Sequence, residues 1–187
     1  MKEPVSDDLI SRCRSGDQAA WGELVAATHR DVYTLCLRIL RDPDDAAEAT
    51  QDAFLKVWRN LKGFRGDSKF ETWLYRVAAN AAISKHRSRK RKQSREMRVE
   101  DEVLGSFAAE GSVERTAGAR LGVRDLEAAL ETLPDHYRIA VVLRDVYGLT
   151  TEEIAREMKV TETAAKVRVH RGRKRLKELL AEREEDE

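Results

Sequence analysis

The sequence holds 187 residues, with 35 Lys and Arg against 34 Asp and Glu and a formal net charge of +1. That length allows one large domain or two small ones, and the near-zero charge balance by itself points to no special partner. Two cysteines without CxxC spacing argue against a disulfide framework or a zinc site, and no apolar run approaches a membrane span, so a cytoplasmic protein without membrane insertion is expected.

Only three prolines and few glycines speak against an all-β fold, whose strands need turns, and the abundant Ala, Leu, Glu and Arg favour helix. The fold class read from this is all-α. In chain order, Asp17 can cap a helix carrying Ala20, Trp21, Leu24 and Val25 on one face. Val32, Leu35, Cys36, Ile39 and Leu40 form the next apolar stripe, and Asp42-Pro43 breaks it. Proline suits the first turn of the following helix, and Asp44, Asp45 and Glu48 suit the positive end of its dipole. This acidic helix runs on through Ala53, Phe54, Val57, Trp58 and Leu61.

Residues Gly63 to Ser68 read as a loop by composition. Ser68 followed by Glu71 resembles a capping box for a helix bearing Trp73, Leu74, Val77, Ala78, Ala81 and Ile83. That helix continues into a basic block, Lys85 to Arg98, with eight Lys or Arg and one acid. Residues 97–119 hold several Gly and Ser and no sustained apolar period, and are expected to be a flexible linker between a first domain, 1–96, and a second, 120–187.

In the second domain, Leu126, Ala129, Leu130 and Leu133 form a stripe ending at Pro134. Ile139, Val142, Leu143 and Val146 form another ending at Gly148. Thr150 and Glu153 form a capping box for a short helix with Ile154, Ala155 and Met158, and Thr161 caps a last helix after a turn at Lys159-Val160. That helix carries seven Lys or Arg and no acid between Lys166 and Lys177, and the chain ends on an acidic tail, Glu182 to Glu187. Two basic blocks on a near-neutral chain point to two contacts with a polyanion, with acidic faces left for protein partners.

Two constellations carry function. Two short helices joined by a tight turn, the second basic, are the layout of a helix-turn-helix, whose second helix enters a DNA major groove. Lys166, Arg168, His170 and Arg171 project from its early part, and Arg173, Lys174 and Arg175 lie where a phosphate backbone would run. A merely solvated basic helix would share the charge, but capping, turn and charge together favour the DNA reader. The second constellation places Phe64, Phe70, Trp73 and Tyr75 beside a cationic helix, as unstacked single-stranded bases require. His29 and Cys36 could share a helix face, but two such ligands do not make a zinc site. No glycine-rich phosphate loop or nucleophile motif is present, so no catalytic residues and no cofactor are expected.

These motifs carry a resemblance. Ala53-Phe54-Leu55-Lys56-Val57-Trp58, Phe64-Arg65-Gly66 and Phe70-Glu71-Thr72-Trp73-Leu74-Tyr75-Arg76-Val77-Ala78-Ala79-Asn80 resemble the second region of extracytoplasmic-function RNA polymerase sigma factors of the sigma-70 family. Leu133-Pro134, Val142-Leu143-Arg144-Asp145-Val146-Tyr147-Gly148-Leu149-Thr150, Glu153-Ile154-Ala155, Ala165-Lys166-Val167-Arg168-Val169-His170-Arg171 and Arg173-Lys174-Arg175-Leu176 resemble the fourth. The resemblance implies that region two binds the polymerase β′ clamp helices, here through Asp45, Glu48, Gln51, Asp52, Phe54, Leu55 and Trp58. It implies that the −10 element is bound and melted by Phe64, Arg65, Lys69, Trp73, Arg76, Asn80, Lys85 and Arg87. Region four would bind the β flap tip and read the −35 element through the basic residues of the last helix. The linker would replace the family's third region, and an anti-sigma factor is expected as a further partner.

The chain departs from the family pattern at Ala79, where an Arg often supplies a phosphate contact. It departs again at Lys159, where a turn glycine is common, and at Ala165, where a valine is common. Lys159 is therefore expected in a left-handed conformation. A rival reading is a stand-alone helix-turn-helix regulator with an N-terminal effector domain. It leaves the acidic helix and the basic block after Asn80 without a purpose, and an RNA-binding reading of that block leaves the second domain without one.

Overall fold

The computed structural model describes residues 5–100 and 121–185, with side chains described for 5–93 and 125–181. Eight α-helices, one 3-10 turn and one π turn, with their connecting loops, make up the described residues, and no strand occurs among them. The expected linker falls mostly on 101–120, outside the described residues, although the helix before it continues to Glu100, four residues into that stretch.

The first helix, α1 (Asp7–Arg14), was not read from the sequence. Ser6 caps it by accepting from the Leu9 N–H, and it buries Leu9, Ile10 and Cys13. Its eight residues hold barely two turns, too few for a periodic signal. α2 (Gln18–Leu40) is one continuous helix that joins the two apolar stripes read separately. Asp17 accepts from Ala19 and Ala20 at 2.9 and 3.0 Å, as expected of the cap. Arg41 ends the helix at φ 56°. α3 (Pro43–Asn60) starts on Asp42, whose carboxylate accepts from the Asp45 N–H at 2.9 Å, with Pro43 in its first turn. A short 3-10 turn, Leu61–Gly63, leads into the loop.

α4 (Phe70–Glu100) packs Leu74, Ala78, Ala81 and Ala82 against α2 and α3. The capping box expected between Ser68 and Glu71 is replaced by a tertiary contact, because Glu71 accepts from the backbone N–H of Val5 at 2.7 Å. Cys13 and Cys36 are buried thiols, as expected, and burial pushes Cys36 up to about 11.

The second half comprises α5 (Leu121–Thr132), α6 (Asp135–Val141), a π turn at Val142–Val146, α7 (Thr151–Met158) and α8 (Glu162–Glu185). Leu130, Leu133, Ile139, Val142 and Leu143 are buried as their stripes require, while Leu126 and Val146 at the ends are exposed. Gly172 sits where α8 crosses α6. A Cβ there would lie 2.6 Å from Val141 Cγ2 and 3.1 Å from the Tyr137 carbonyl.

The two halves do not stand apart. Ile139, Leu143, Leu149 and Ile154 belong to the same buried cluster as Leu35, Ile39 and Leu74. The Tyr75 and Tyr147 rings meet edge to face at 4.9 Å, and Arg38 of α2 donates to Glu127 of α5 at 3.1 Å. Arg138 of α6 is 2% exposed and donates to the Arg38 and Ile39 carbonyls, each at 3.0 Å. The sequence implies two helical domains joined by a linker, and periodicity cannot reveal a contact made between them.

Gly172→Ala is expected to lower stability by about 1–2 kcal/mol, since overpacking against Val141 outweighs the better helix propensity of Ala. Thermal unfolding followed by circular dichroism measures it, and a Tm at or above the parent would show that α6 and α8 are not this close.

Candidate nucleic-acid interface

The helix-turn-helix is built by local signals. Thr150 Oγ1 accepts from the Glu153 N–H at 3.2 Å, and Glu153 Oε2 accepts from the Thr150 N–H at 2.9 Å, so the expected capping box is made. Lys159 ends α7 at φ 53°, ψ 52°, the left-handed conformation expected of it, and Val160 N–H closes the turn on the Ala155 carbonyl at 2.9 Å. Thr161 then caps α8 by accepting from Ala164 at 3.2 Å.

Ala165, Val169 and Gly172 are buried on the inward face of α8. This phase leaves Lys166, His170, Arg171, Lys174 and Arg175 exposed and Arg168 half-buried. Several of these cations are parked on acids of the same half. Lys166 lies 2.9 Å from Glu162, Arg175 lies 3.4 Å from Glu178, and Arg173 Nε donates to Asp145 at 2.9 Å. Exposed pairs like these are worth about 0–1 kcal/mol, too little to withhold a lysine or arginine from a phosphate.

The second surface surrounds the loop after α3. A cleft of about 240 Å³ is lined by Gly63, Phe64, Arg65, Asp67, Ser68, Trp73 and Arg76. Phe64, Phe70 and Trp73 form an aromatic triangle with centroids 5.2–5.8 Å apart. Phe70 is core, Trp73 and Phe64 are half-buried, and Arg65 and Lys69 are exposed. Phe64 does not stand free on its loop. Instead the Arg14 guanidinium lies 5.7 Å from its ring centroid and donates to the Leu61 carbonyl at 3.3 Å. Arg14 comes from α1, which had no signal in the sequence reading, so its part in this site was missed. Gly66, at φ 82°, supplies the left-handed turn the loop needs.

The remaining strand-binding candidates divide. Arg76 and Asn80 face α7: Arg76 lies 3.3 Å from Glu153, and Asn80 donates to Glu157 at 2.7 Å. Arg87 donates to the Glu157 carbonyl at 2.7 Å. Lys85 turns instead to α3, where it pairs with Glu48 and lies 3.4 Å from Asp45. Ala79 is fully buried.

On α3, Gln51, Asp52, Leu55 and Trp58 are exposed, with Leu55 at 53% and Trp58 at 41%. Trp21 of α2 packs edge to face on Trp58 at 4.9 Å and extends this apolar patch, which the sequence reading placed in the core stripe only. Phe54 lies inward at 8% exposure, stacked on His29 at 6.1 Å. Asp45 is paired with Arg89 at 2.8 Å.

A helix-turn-helix with an exposed basic face and, in the first half, an aromatic cleft now stand on one chain, and comparison with known proteins identifies the pairing. The family model for sigma-70 region 2 matches residues 24–92, and that for sigma-70 region 4 matches residues 124–176. The chain is 31% identical over 180 residues to the ECF RNA polymerase sigma factor SigW of Bacillus subtilis, covering 91% of this chain and 94% of that one. The chain belongs to the extracytoplasmic-function sigma factors of the sigma-70 family.

Other relatives agree. Identity is 34% over 179 residues with the ECF RNA polymerase sigma-E factor of Escherichia coli K12, covering 92% of this chain and 93% of that one. It is 37% over 172 residues with the ECF sigma factor SigE of Mycolicibacterium smegmatis, covering 89% of this chain but only 65% of that longer one. Among solved structures, the sigma factor RpoE in complex with the anti-sigma factor NepR from Bartonella quintana superposes with a TM-score of 0.62 at 25% identity, covering 86% of this chain and 96% of that one. CnrH, in complex with the cytosolic domain of CnrY, shares the fold with a TM-score of 0.57 at 24% identity, covering 92% of this chain and 95% of that one. As a member of this family the chain directs transcription initiation. The stand-alone regulator reading is set aside, because residues 24–92 match region 2 and are no effector domain. No helix among the described residues is long and apolar enough to cross a membrane.

Lys159→Gly removes a side chain from a left-handed residue and is expected to stabilise the protein by about 0.5–1 kcal/mol, the strain relieved outweighing the added freedom of the unfolded chain. A denaturant midpoint at or below that of the parent would mean the turn is not strained.

Proposed function

We propose that this sigma factor acts in the cytoplasm, binds core RNA polymerase through the exposed patch of Trp21, Gln51, Asp52, Leu55 and Trp58, and catalyses nothing itself. RNA synthesis belongs to the polymerase. In this reading residues 1–96 form the domain that binds core and the −10 element, and residues 120–187 the domain that binds the β flap tip and the −35 element. Residues 97–119 link them.

The observation that carries the reading is the pairing, on one chain, of a duplex reader and a strand-receiving cleft. The outward face of α8 offers Lys166, Arg168, His170 and Arg171 to base edges, where arginine pairs bidentately with guanine. Arg173, Lys174 and Arg175 reach phosphates further along. The cleft between Phe64 and Trp73 offers aromatic faces to an unpaired base, with Arg65, Lys69 and Arg76 at its rim and Asn80, Lys85 and Arg87 continuing along α4. Extracting a base from the duplex costs a few kcal/mol, so a site that receives it is what separates an initiation factor from an ordinary regulator.

An anti-sigma factor is part of the proposal. Its support is that one related structure is, by its own description, a sigma factor in complex with an anti-sigma factor.

Arg168→Ala is expected to cost about 1–3 kcal/mol at one −35 position and to relax the preference there. Lys174→Ala is expected to weaken holoenzyme binding equally on all sequences and to flatten the salt slope by about one unit. Binding to a panel of single-base promoter variants checks both, and an unchanged selectivity profile for Arg168→Ala would remove it from the base readers.

Replacing Phe64 and Asn80 together by Ala is expected to slow open-complex formation on duplex promoters by at least about tenfold while core binding stays intact. A template already mismatched around the −10 element should recover part of the loss. Permanganate footprinting reports both, and no loss on either template would place strand capture elsewhere on the protein.

A further inference from the structure

The loop that forms the strand cleft has little to hold it from within. None of residues 62–69 is buried, and the exposed side chains of Arg65, Asp67 and Lys69 offer it no core. Its own anchors are the residues that flank it, Leu61 at 2% exposure and Phe70 at 4%. A site that captures a base works best when its walls are already in place, because the fraction of molecules in the competent shape multiplies the affinity. The placement of Phe64 against Trp73 therefore calls for support from outside the loop.

The amino-terminal segment gives that support on both sides. α1 is anchored by Leu9, Ile10 and Cys13, all buried. Its end is fixed by a turn at Gly16, φ 92°, and by Arg12, which donates to Asp17 from Nε and Nη2 at 3.2 and 3.1 Å. From this fixed end Arg14 reaches the α3 side of the loop. Its Nε donates to the Leu61 carbonyl at 3.3 Å, and the same carbonyl accepts from the Phe64 N–H at 3.1 Å. A carbonyl has two lone pairs, so both bonds are made together and the turn that aims Phe64 is held from outside. The Arg14 guanidinium also lies over the Phe64 ring, 5.7 Å from its centroid, while Trp73 and Phe70 stand 5.2 and 5.7 Å away. A cation and two aromatic neighbours thus confine the ring. On the α4 side the Val5 N–H donates to Glu71 at 2.7 Å. Val5 and Arg14 are the two ends of one segment, and together they tie both sides of the loop to it.

We infer that Arg14 is a positioning residue for strand capture, and that the segment Val5–Arg14 braces the cleft. Arg14 is not among the residues that line the cleft, so it acts through Phe64 and not by touching the strand. The inference rests on the proposed part of Phe64 in receiving an unpaired base, and its test separates the two.

The test is a double-mutant cycle on the holoenzyme with Arg14→Ala, Phe64→Ala and the pair. The rate of open-complex formation is read by permanganate reactivity at the −10 element. A cation–π contact at a partly exposed site corresponds to a factor of about two to five, so Arg14→Ala is expected to slow opening about threefold. Loss of a stacking face should make Phe64→Ala about fivefold slow. Acting through the ring, Arg14 adds nothing once the ring is gone, so the pair should also be about fivefold slow and not about fifteenfold, the product. Affinities for core polymerase and for a labelled duplex should stay within about twofold of the parent, since both surfaces lie away from Arg14. Arg14→Met keeps the stem but loses the charge and the donors, and should match Arg14→Ala. Circular dichroism verifies that each variant is helical, and Arg14→Met completes the cycle if Arg14→Ala unfolds. A pair that shows the full product overturns the inference and makes Arg14 an independent contact to the strand. Parental opening by Arg14→Met, or a core affinity that falls in step with opening, overturns it as well, and so does unfolding of both Arg14 variants. Parental opening by Phe64→Ala removes the proposed role of Phe64 and the brace with it, whereas parental opening by the Arg14 variants alone removes only the brace.

Discussion

The carboxyl end of α2 is the point on which both halves of the molecule converge. A helix leaves its last four carbonyls without intrahelical partners, and when that end is buried each must find a donor. Here the Leu37 carbonyl takes the Arg41 N–H at 2.8 Å, and the Leu40 carbonyl takes Arg89 of α4 at 3.0 Å. Between them the Arg38 and Ile39 carbonyls take Arg138 from the second half. The dependence runs both ways. Two carbonyls at the negative end of a helix dipole are what a buried guanidinium needs, together with Asp135 at 3.0 Å, since an unpaired buried charge costs several kcal/mol.

From that junction the rest of the closed arrangement follows. With α6 seated on the end of α2, Tyr147 meets Tyr75, and α7 lies along α4 with its glutamates toward Arg76 and Asn80. Burial drives the Tyr147 phenol up to about 12 and holds His86 below its ordinary value. The outward face of α8 takes no part, because Ala165, Val169 and Gly172 turn its small residues inward. A near-neutral chain thus keeps two cationic surfaces, one open and one answered by its own acids.

Much of this was legible in the sequence, and for identifiable reasons. Asp17, Asp42 with Pro43, and Thr150 with Glu153 are caps, and a cap is decided by atoms within a few residues of each other. Lys159 was expected in the left-handed region because it stands where the resembling family commonly has a turn glycine, and a turn is a local feature. The aromatic loop and the basic helix were read from composition and order, and the structure gathers Phe64, Arg65, Trp73 and Arg76 around one cleft. The illegible parts have long-range causes. α1 is too short to show a period, Glu71 leaves Ser68 for Val5, and Arg14 crosses to Phe64 from outside the motif. Gly172 carries no signal of its own in the sequence, and its need to be glycine comes from α6, whose Val141 Cγ2 lies 2.6 Å from where a Cβ would be.

The sequence alone determined the all-α class, the helix-turn-helix and the family, because periodicity, capping and motif order are local properties of the chain. Only the tertiary structure decided which of the charged residues are free. Asp135, Arg138 and Glu157 carry no signal in the sequence, Asn80 and Arg87 stand out there only as strand-binding candidates, and each of the five has a partner in the structure more than forty positions away. Charge pairing across that separation depends on how whole helices are seated, and the seating is set by the burial of the Ile39 and Ile139 cluster and by the unsatisfied end of α2.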